Sequence, residues 1–354
     1  AVHSEMRPAT AIVHLSYSQQ DMANNATETL DEVLSTVVYM SQSRTMNAML
    51  YCRIFIAVAG LLLGVTIPMF RSKFVAHGSL LMLLMQHCAW NVMLSFISLI
   101  DALITAYTFT TWEKPEDLIA FNDGYSCFHR KIWHIYAVYG TMTSMFAITI
   151  ERTVASNFYK TYEKSSKRLG YVLSVGQFAL ASLFLAGAII MYDFSETRAH
   201  CFVVTRGGET FHRPLAATSL VLEIVCLVIF CCQLRVNRRR LSRDYCGGLS
   251  EKYQITENVR ALKLLVPVVI SHISLTVLTA ASFYIFTFID MEAHTKAITE
   301  ESLGFLHLHA VIVPVFMLLR HWRKERLLQK TSRLNRLQGA ALMTEHDKVI
   351  MKDW

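Results

Sequence analysis

Seven long apolar stretches divide the chain, at about residues 47–70, 76–109, 132–150, 170–192, 214–234, 264–289 and 302–319. A helix needs about 20 such residues to cross a hydrocarbon layer of roughly 30 Å. Inside lipid the backbone must satisfy its own hydrogen bonds, so helices are the natural reading of these segments. The expected fold is therefore an all-α membrane protein, a seven-transmembrane helix bundle. An odd number of spans places the two termini on opposite sides of the membrane.

Charge orients this bundle. The segments after spans one, three and five, with the C-terminal tail, hold 24 Lys and Arg, against 9 in the N-terminal tail and the other loops. Acidic residues run the other way, 9 against 16, with Asp101 and Glu223 inside spans. Cytoplasmic loops carry the Lys/Arg excess, so the N-terminus is expected outside and the C-terminus inside. The formal charge of +7 then splits into an inner face near +15 and an outer face near −7. That split speaks against nucleic acid as a partner and for contact with membrane lipids.

Local signals agree. Asn25-Ala26-Thr27 is an N-glycosylation sequon in the outer tail. Of eight cysteines, only Cys127 and Cys201 fall in loops assigned to the oxidising side, so a disulfide tethering the loop between spans four and five is expected, with two free thiols as the plainer alternative. Cys52, Cys88 and Cys226 read as small core residues, and Cys231, Cys232 and Cys246 lie at the inner face, as candidates for reversible palmitoylation. No composition break marks a second domain, so the chain divides into a tail (1–45), a seven-span domain (46–320) and a cytoplasmic tail (321–354). The chain opens on Ala1, which suggests that the natural start is missing. Its first 45 residues lack a signal-peptide pattern, so span one is expected to act as the targeting signal. After span seven, Arg320 to Leu328, continued by Leu334 and Leu337, has the pattern of a short amphipathic helix on the inner leaflet.

Polar groups inside a membrane are costly and raise functional questions. Asp101, His134, Tyr136, Tyr139, Glu223 and His307 could line an outward-facing ligand pocket, and His272 and His309 are also intramembrane. The plainer reading of each is an interhelical hydrogen bond. No nucleotide loop, nucleophile motif or metal-ligand spacing is present, so no catalytic role and no cofactor are expected. His307 and His309 diverge by about 200° on a helix, which hinders a shared metal. A b-type haem would need facing histidines, for which His87, His134 and His272 are the candidates. Transport would favour repeated halves or matched broken spans, and none is visible.

The inner face holds sharper signals. Span three ends in Glu151-Arg152, an opposite-charge pair that reads either as a two-state switch or as an interfacial anchor. Arg235, Arg238, Arg239, Arg240 and Arg243 follow span five, a basic cluster suited to anionic lipid or to an intracellular partner.

Two inner motifs carry a resemblance. The first is Glu151-Arg152-Thr153-Val154-Ala155-Ser156, closed by Tyr162-Glu163. The second is Leu249-Ser250-Glu251-Lys252-Tyr253-Gln254-Ile255, followed by Glu257-Asn258-Val259-Arg260. In both, and in its seven-span layout, the chain resembles the nematode serpentine chemoreceptors, class epsilon (Sre). The resemblance implies a G-protein-coupled receptor of the neuronal plasma membrane or sensory cilium, binding an external small molecule and signalling through a heterotrimeric G protein. Glu151, Arg152, Tyr162, Glu163, Glu257, Asn258 and Arg260 would form its switch and G-protein face. The chain departs from rhodopsin-like receptors in reading Val313-Pro314-Val315-Phe316 in span seven and in lacking a span-four tryptophan, with Val175-Gly176-Gln177-Phe178 there. The competing reading is a transporter or a haem or metal redox protein using the intramembrane histidines and acids.

Overall fold

The computed structural model describes residues 31–69, 78–192, 209–242, 249–288 and 309–319, with a few isolated positions outside these ranges. Among the described residues there is no strand. The helices are α1 (31–42), α2 (Arg44–Met69), α3 (Gly78–Thr111), α4 (Pro115–Phe121), α5 (Gly124–Asn157), α6 (Tyr162–Ile190), α7 (Glu209–Ser242), α8 (Leu249–Phe288) and α9 (His309–Leu319). Five of them, α2, α3, α6, α7 and α8, are long and apolar enough to cross a membrane. The chain is an integral membrane protein. The described part of α9 is apolar but shorter.

Helix α5 is long but more polar, and its position explains why. It packs against α3, α6, α7 and α8, so much of its surface meets protein rather than lipid. Its buried hydroxyls are satisfied locally, Thr141 donating to Val138 O (2.7 Å), Ser144 to Thr141 O (2.7 Å) and Thr149 to Met145 O (2.8 Å). Ser and Thr suit such close helix packing because they are small and bond back to their own helix.

The helices outrun the apolar stretches that announce them. Helix α5 starts at Gly124 rather than near residue 132, because Asp123 caps it by accepting the Ser126 N–H at 2.7 Å. Helix α7 continues to Ser242 and α8 begins at Leu249, so both extend as polar helix beyond their apolar windows. Hydropathy marks the part of a helix that crosses lipid, whereas backbone bonding continues into water.

Three apolar clusters organise the packing. The largest joins Leu80, Leu83 and Leu84 of α3 to Ile148 of α5, Phe230 of α7, Leu262 and Leu265 of α8 and Val313 of α9. A second brings Val37 and Met40 of α1 against Leu50 of α2, Ala102 and Phe109 of α3 and Leu118 of α4. The end of the 1–45 tail is thus helical and packed from residue 31. The third cluster lies between α5 and α6 around Tyr139 and Ala181. Cys88 and Cys226 are buried, but Cys52 is exposed, which corrects its reading as a core residue. Its helix has an apolar outward face with Tyr51, Phe55 and Leu62, and Cys52 lies on that side.

Cys127, in the first turn of α5, is bonded to Cys201, with Cα atoms 5.2 Å apart. Beside this bond Phe128 packs against Tyr192 and Phe194, and the Tyr192 hydroxyl donates to Gly124 O at 3.0 Å. Asn25, Cys246, Arg243, His307 and the amphipathic segment around Leu334 and Leu337 lie outside the described residues.

Helices α3 and α5 approach closely at Gly140, where a Cβ would stand 2.2 Å from the Trp90 ring. Trp90 is itself wedged between Tyr136 and Phe178. Gly140→Ala should therefore displace the indole and cost about 1–3 kcal/mol as an overpacked site. The expected result is a lower midpoint of thermal unfolding in detergent; an unchanged midpoint would show that the indole yields freely.

Candidate functional site

The polar residues of the bundle form three layers stacked along α3 and α5. The inner layer is built on Glu151 and Arg152, both essentially without solvent exposure (0% and 1%). Two charges can be buried this way only if they are paired and their remaining bonding capacity is filled. The Arg152 guanidinium donates to both Glu151 oxygens, through Nε and Nη2. Glu151 Oε1 also accepts from the Tyr162 hydroxyl and from Ser79 Oγ (2.7 Å). Burial and then the Glu151 carboxylate hold the Tyr162 phenol above its ordinary pKa, so it stays a donor.

This pair links four helices. Ser79 begins α3, Tyr162 begins α6, and Arg152 Nη1 reaches Asn258 Oδ1 of α8 at 3.2 Å. Asn258 in turn donates to Ala155 O of α5 at 3.0 Å, so α8 is held twice. The Glu257 carboxylate adds favourable charge toward Arg152. Alongside, α7 docks on α5: Gln233 donates to Thr153 Oγ1 (2.7 Å), Asn237 to Ser156 Oγ (3.1 Å) and Arg240 to Ser156 O (2.8 Å). Those three α7 residues share one helical face, which leaves Arg235, Arg238 and Arg239 exposed on the other. Arg260 lies on the exposed side of α8, and the side chain of Glu163 is outside the described ones.

The middle layer is a buried histidine cluster. His87 Nδ1 lies 2.7 Å from Ser144 Oγ, and His87 Nε2 lies 3.2 Å from His309 Nε2. The His272 and His309 rings are 4.5 Å apart, and His272 Nδ1 is 3.0 Å from Glu223 Oε1. Among the described residues no group of three His, Cys, Asp or Glu is arranged to hold a metal ion.

The outer layer centres on Asp101. Arg53 of α2 (2.8 Å) and Lys131 of α5 (2.7 Å) bind its Oδ2, and Arg53 also donates to Ser98 Oγ at 3.1 Å. Asp101 thus ties α2, α3 and α5 together. Above it a narrow cleft of about 250 Å³, counting its open mouth, is lined by Met40, Thr105, Asn122, Arg130, Lys131 and Cys201.

Of the inner-face residues read from the sequence, Glu151, Arg152, Tyr162, Glu257 and Asn258 converge on one layer, while Arg260 stands on the exposed side of α8. The described residues among the pocket candidates make separate contacts. Asp101 sits in the outer ion cluster, and half-buried His134 follows Lys131 on α5. The Tyr136 hydroxyl is 3.2 Å from Ser182 Oγ, Tyr139 is 3.3 Å from His212 Nδ1, and Glu223 belongs to the middle layer. Sequence reasoning missed Ser79 and Ser144, because single serines carry no pattern. It also named no neighbour for His309, whose partners are His87 and His272. Arg53 and Lys131 were legible only as charges near a span, without their shared carboxylate.

Residues 32–340 match the family described as serpentine type 7TM GPCR receptor, class ab chemoreceptor. The chain belongs to that family. The epsilon class expected from the inner motifs is thereby corrected to class ab. Two Caenorhabditis elegans proteins are similar to it. Serpentine receptor class alpha/beta-14 is 28% identical over 198 residues, covering 53% of this chain and 51% of that protein. Serpentine receptor class alpha-39 is 24% identical over 229 residues, covering 63% of this chain and 60% of that protein. The aligned region thus spans about half the length of the first relative.

Tyr162→Phe removes one donor to a buried carboxylate and should cost about 1–3 kcal/mol. It should lower the thermal midpoint in detergent, whereas Phe158→Leu, at an exposed position, should leave it nearly unchanged.

Proposed function

We propose that this class ab serpentine receptor is a seven-transmembrane chemosensory receptor that binds an external small molecule and signals through a heterotrimeric G protein. The observation that carries the reading is the inner layer, where Arg152 joins α5 to α6 and α8 through Tyr162 and Asn258. A buried ion pair that holds three helices by directional bonds has two discrete arrangements, made or broken. Breaking the Asn258 contact frees the inner half of α8. Pro267 lies between that half and His272, and a proline inside a helix removes a backbone bond and permits bending there.

In this reading α5 and a completed α9 are the remaining spans, residues 46–320 form the receptor domain, the N-terminus with Asn25 lies outside, and 321–354 is a cytoplasmic tail. The Lys/Arg excess supports that orientation. Glu151, Arg152, Tyr162, Glu163, Glu257, Asn258 and Arg260 form the signalling face, and Arg235, Arg238 and Arg239 meet anionic lipid or the partner. The ligand binds between the outer and middle layers, within reach of His134, Tyr136 and Tyr139. The setting is the plasma membrane, including that of a sensory cilium.

Arg152→Ala leaves Glu151 buried without its cation, a loss of about 3–5 kcal/mol to the closed arrangement. At matched surface expression, ligand-driven signalling should be lost or become ligand-independent, and an unaltered dose response rejects the switch. Glycan acceptor sites inserted at 243–248 should remain unmodified while Asn25 is glycosylated; a glycan at 243–248 rejects the orientation.

A further inference from the structure

Helix α7 ends in the longest run of cations in the chain, Arg238-Arg239-Arg240, followed by Leu241 and Ser242. Gln233, Asn237 and Arg240 hold this end of the helix on α5, and Arg238, Arg239 and Ser242 are exposed. These three are neighbours on one face, because Ser242 follows the two arginines by four and three residues. Two guanidiniums beside a hydroxyl suit a partner that presents carboxylates next to a phosphoryl donor, since arginine binds carboxylates bidentately. Charge patterns of this kind are what kinases read in their substrates. The next serine along the chain, Ser250, has no Lys or Arg among the four residues before it. The Ser242 hydroxyl donates to Arg239 O at 3.1 Å, a surface bond that water can replace at little cost.

Arg240 sets a condition on access. It is half-buried, with Nη1 donating to Ser156 O at 2.8 Å and its guanidinium 5.3 Å from the centre of the Tyr159 ring. Arg240 and Ser242 are two residues apart, so about 200° separates them around the helix. One groove cannot take both while the last turn is wound. Ser242 is the final residue of α7, where the last carbonyls have no partner within the helix, so that turn opens readily. What resists is the grip of Arg240 on α5.

We propose that Ser242 is a phosphorylation site for a serine kinase with an acidic substrate groove, which engages the form in which Arg240 has left α5. The Ser242 oxygen attacks the γ-phosphorus of a nucleoside triphosphate. The new P–O bond forms as the bond to the β,γ-bridging oxygen breaks; the diphosphate leaves, and the hydroxyl proton passes to a carboxylate of the kinase. The phosphate adds about −2, so the +3 of the arginine run falls to about +1. The inference rests on the inside placement of this helix end, the side that holds nucleoside triphosphate.

The test uses the full chain in lipid discs, with magnesium, radiolabelled ATP and the catalytic subunit of a cyclic-nucleotide-dependent kinase. Mass mapping should find phosphate on Ser242, and Ser242→Ala, at an exposed position, should abolish it. Arg239→Gln should lower the initial rate about tenfold or more, the loss expected for one charge-assisted pair. Tyr159→Leu removes the ring beside Arg240 and should raise the rate about two- to fivefold, and Tyr159→Phe, which keeps the ring, should raise it less. No phosphate on Ser242, or an undiminished rate in Arg239→Gln, overturns the site. An unchanged rate in Tyr159→Leu overturns the release of Arg240. Should that variant not fold, full amide protection of residues 239–242 while the unmodified receptor is being phosphorylated does so instead. Both faces of a disc are open to the kinase, so these outcomes are independent of the orientation, which fails separately through a glycan at 243–248.

Discussion

A guanidinium sealed from water and lipid holds the inner end of this bundle. Arg152 cannot discard its charge, so its surroundings must provide a carboxylate, and that carboxylate must itself be saturated. Glu151 supplies the charge, and Ser79 and Tyr162 complete its bonding. Each of these partners comes from a different helix or helix start. The placement of α3, α6 and α8 relative to α5 is therefore a condition of electrical neutrality, not only of packing. Lipid offers no hydrophobic drive to bring helices together, so such directional contacts weigh more than they would in water.

The three polar layers divide the labour along α3 and α5. The outer one is an ion cluster with Asp101 at its centre, built to stay together, and it fixes α2 against the other two helices. The inner one is equally charged and holds α8 through both bonds of Asn258, to Arg152 and to Ala155 O. Between them the histidines meet through ring contacts and a His87–His309 bond. Pro267 lies between His272 and Asn258 in α8, so a bend there would move the inner layer against the middle one.

Much of this was legible in the sequence. Long apolar runs announce lipid-crossing helices because lipid leaves the backbone no alternative, and Glu151 and Arg152 stood out because charges at a membrane boundary need partners, whereas Asn258 was reached only through the resemblance. Helix ends were less legible. The start of α5 is decided by one cap, Asp123, and the cytoplasmic ends of α7 and α8 by polar residues that hydropathy ignores. Side-chain partnerships between distant helices were not legible at all. Ser79 meets Glu151 and His87 meets His309 because of helix rotation and depth, which no local pattern encodes. The class was misjudged because it rested on two short inner motifs, whereas the family match draws on residues 32–340.

The missing side chain at Gly140 has a wider reach than its contact with Trp90. It lies one helical turn from Ser144 on α5, so the thickness of the joint at that point gauges how near α3 can come. Hydrogen bonds across α3 and α5 lose their grip over a few tenths of an ångström. One absent methyl group therefore calibrates both the histidine layer and the ion pair beneath it. A substitution there would shift both layers at once while touching neither directly.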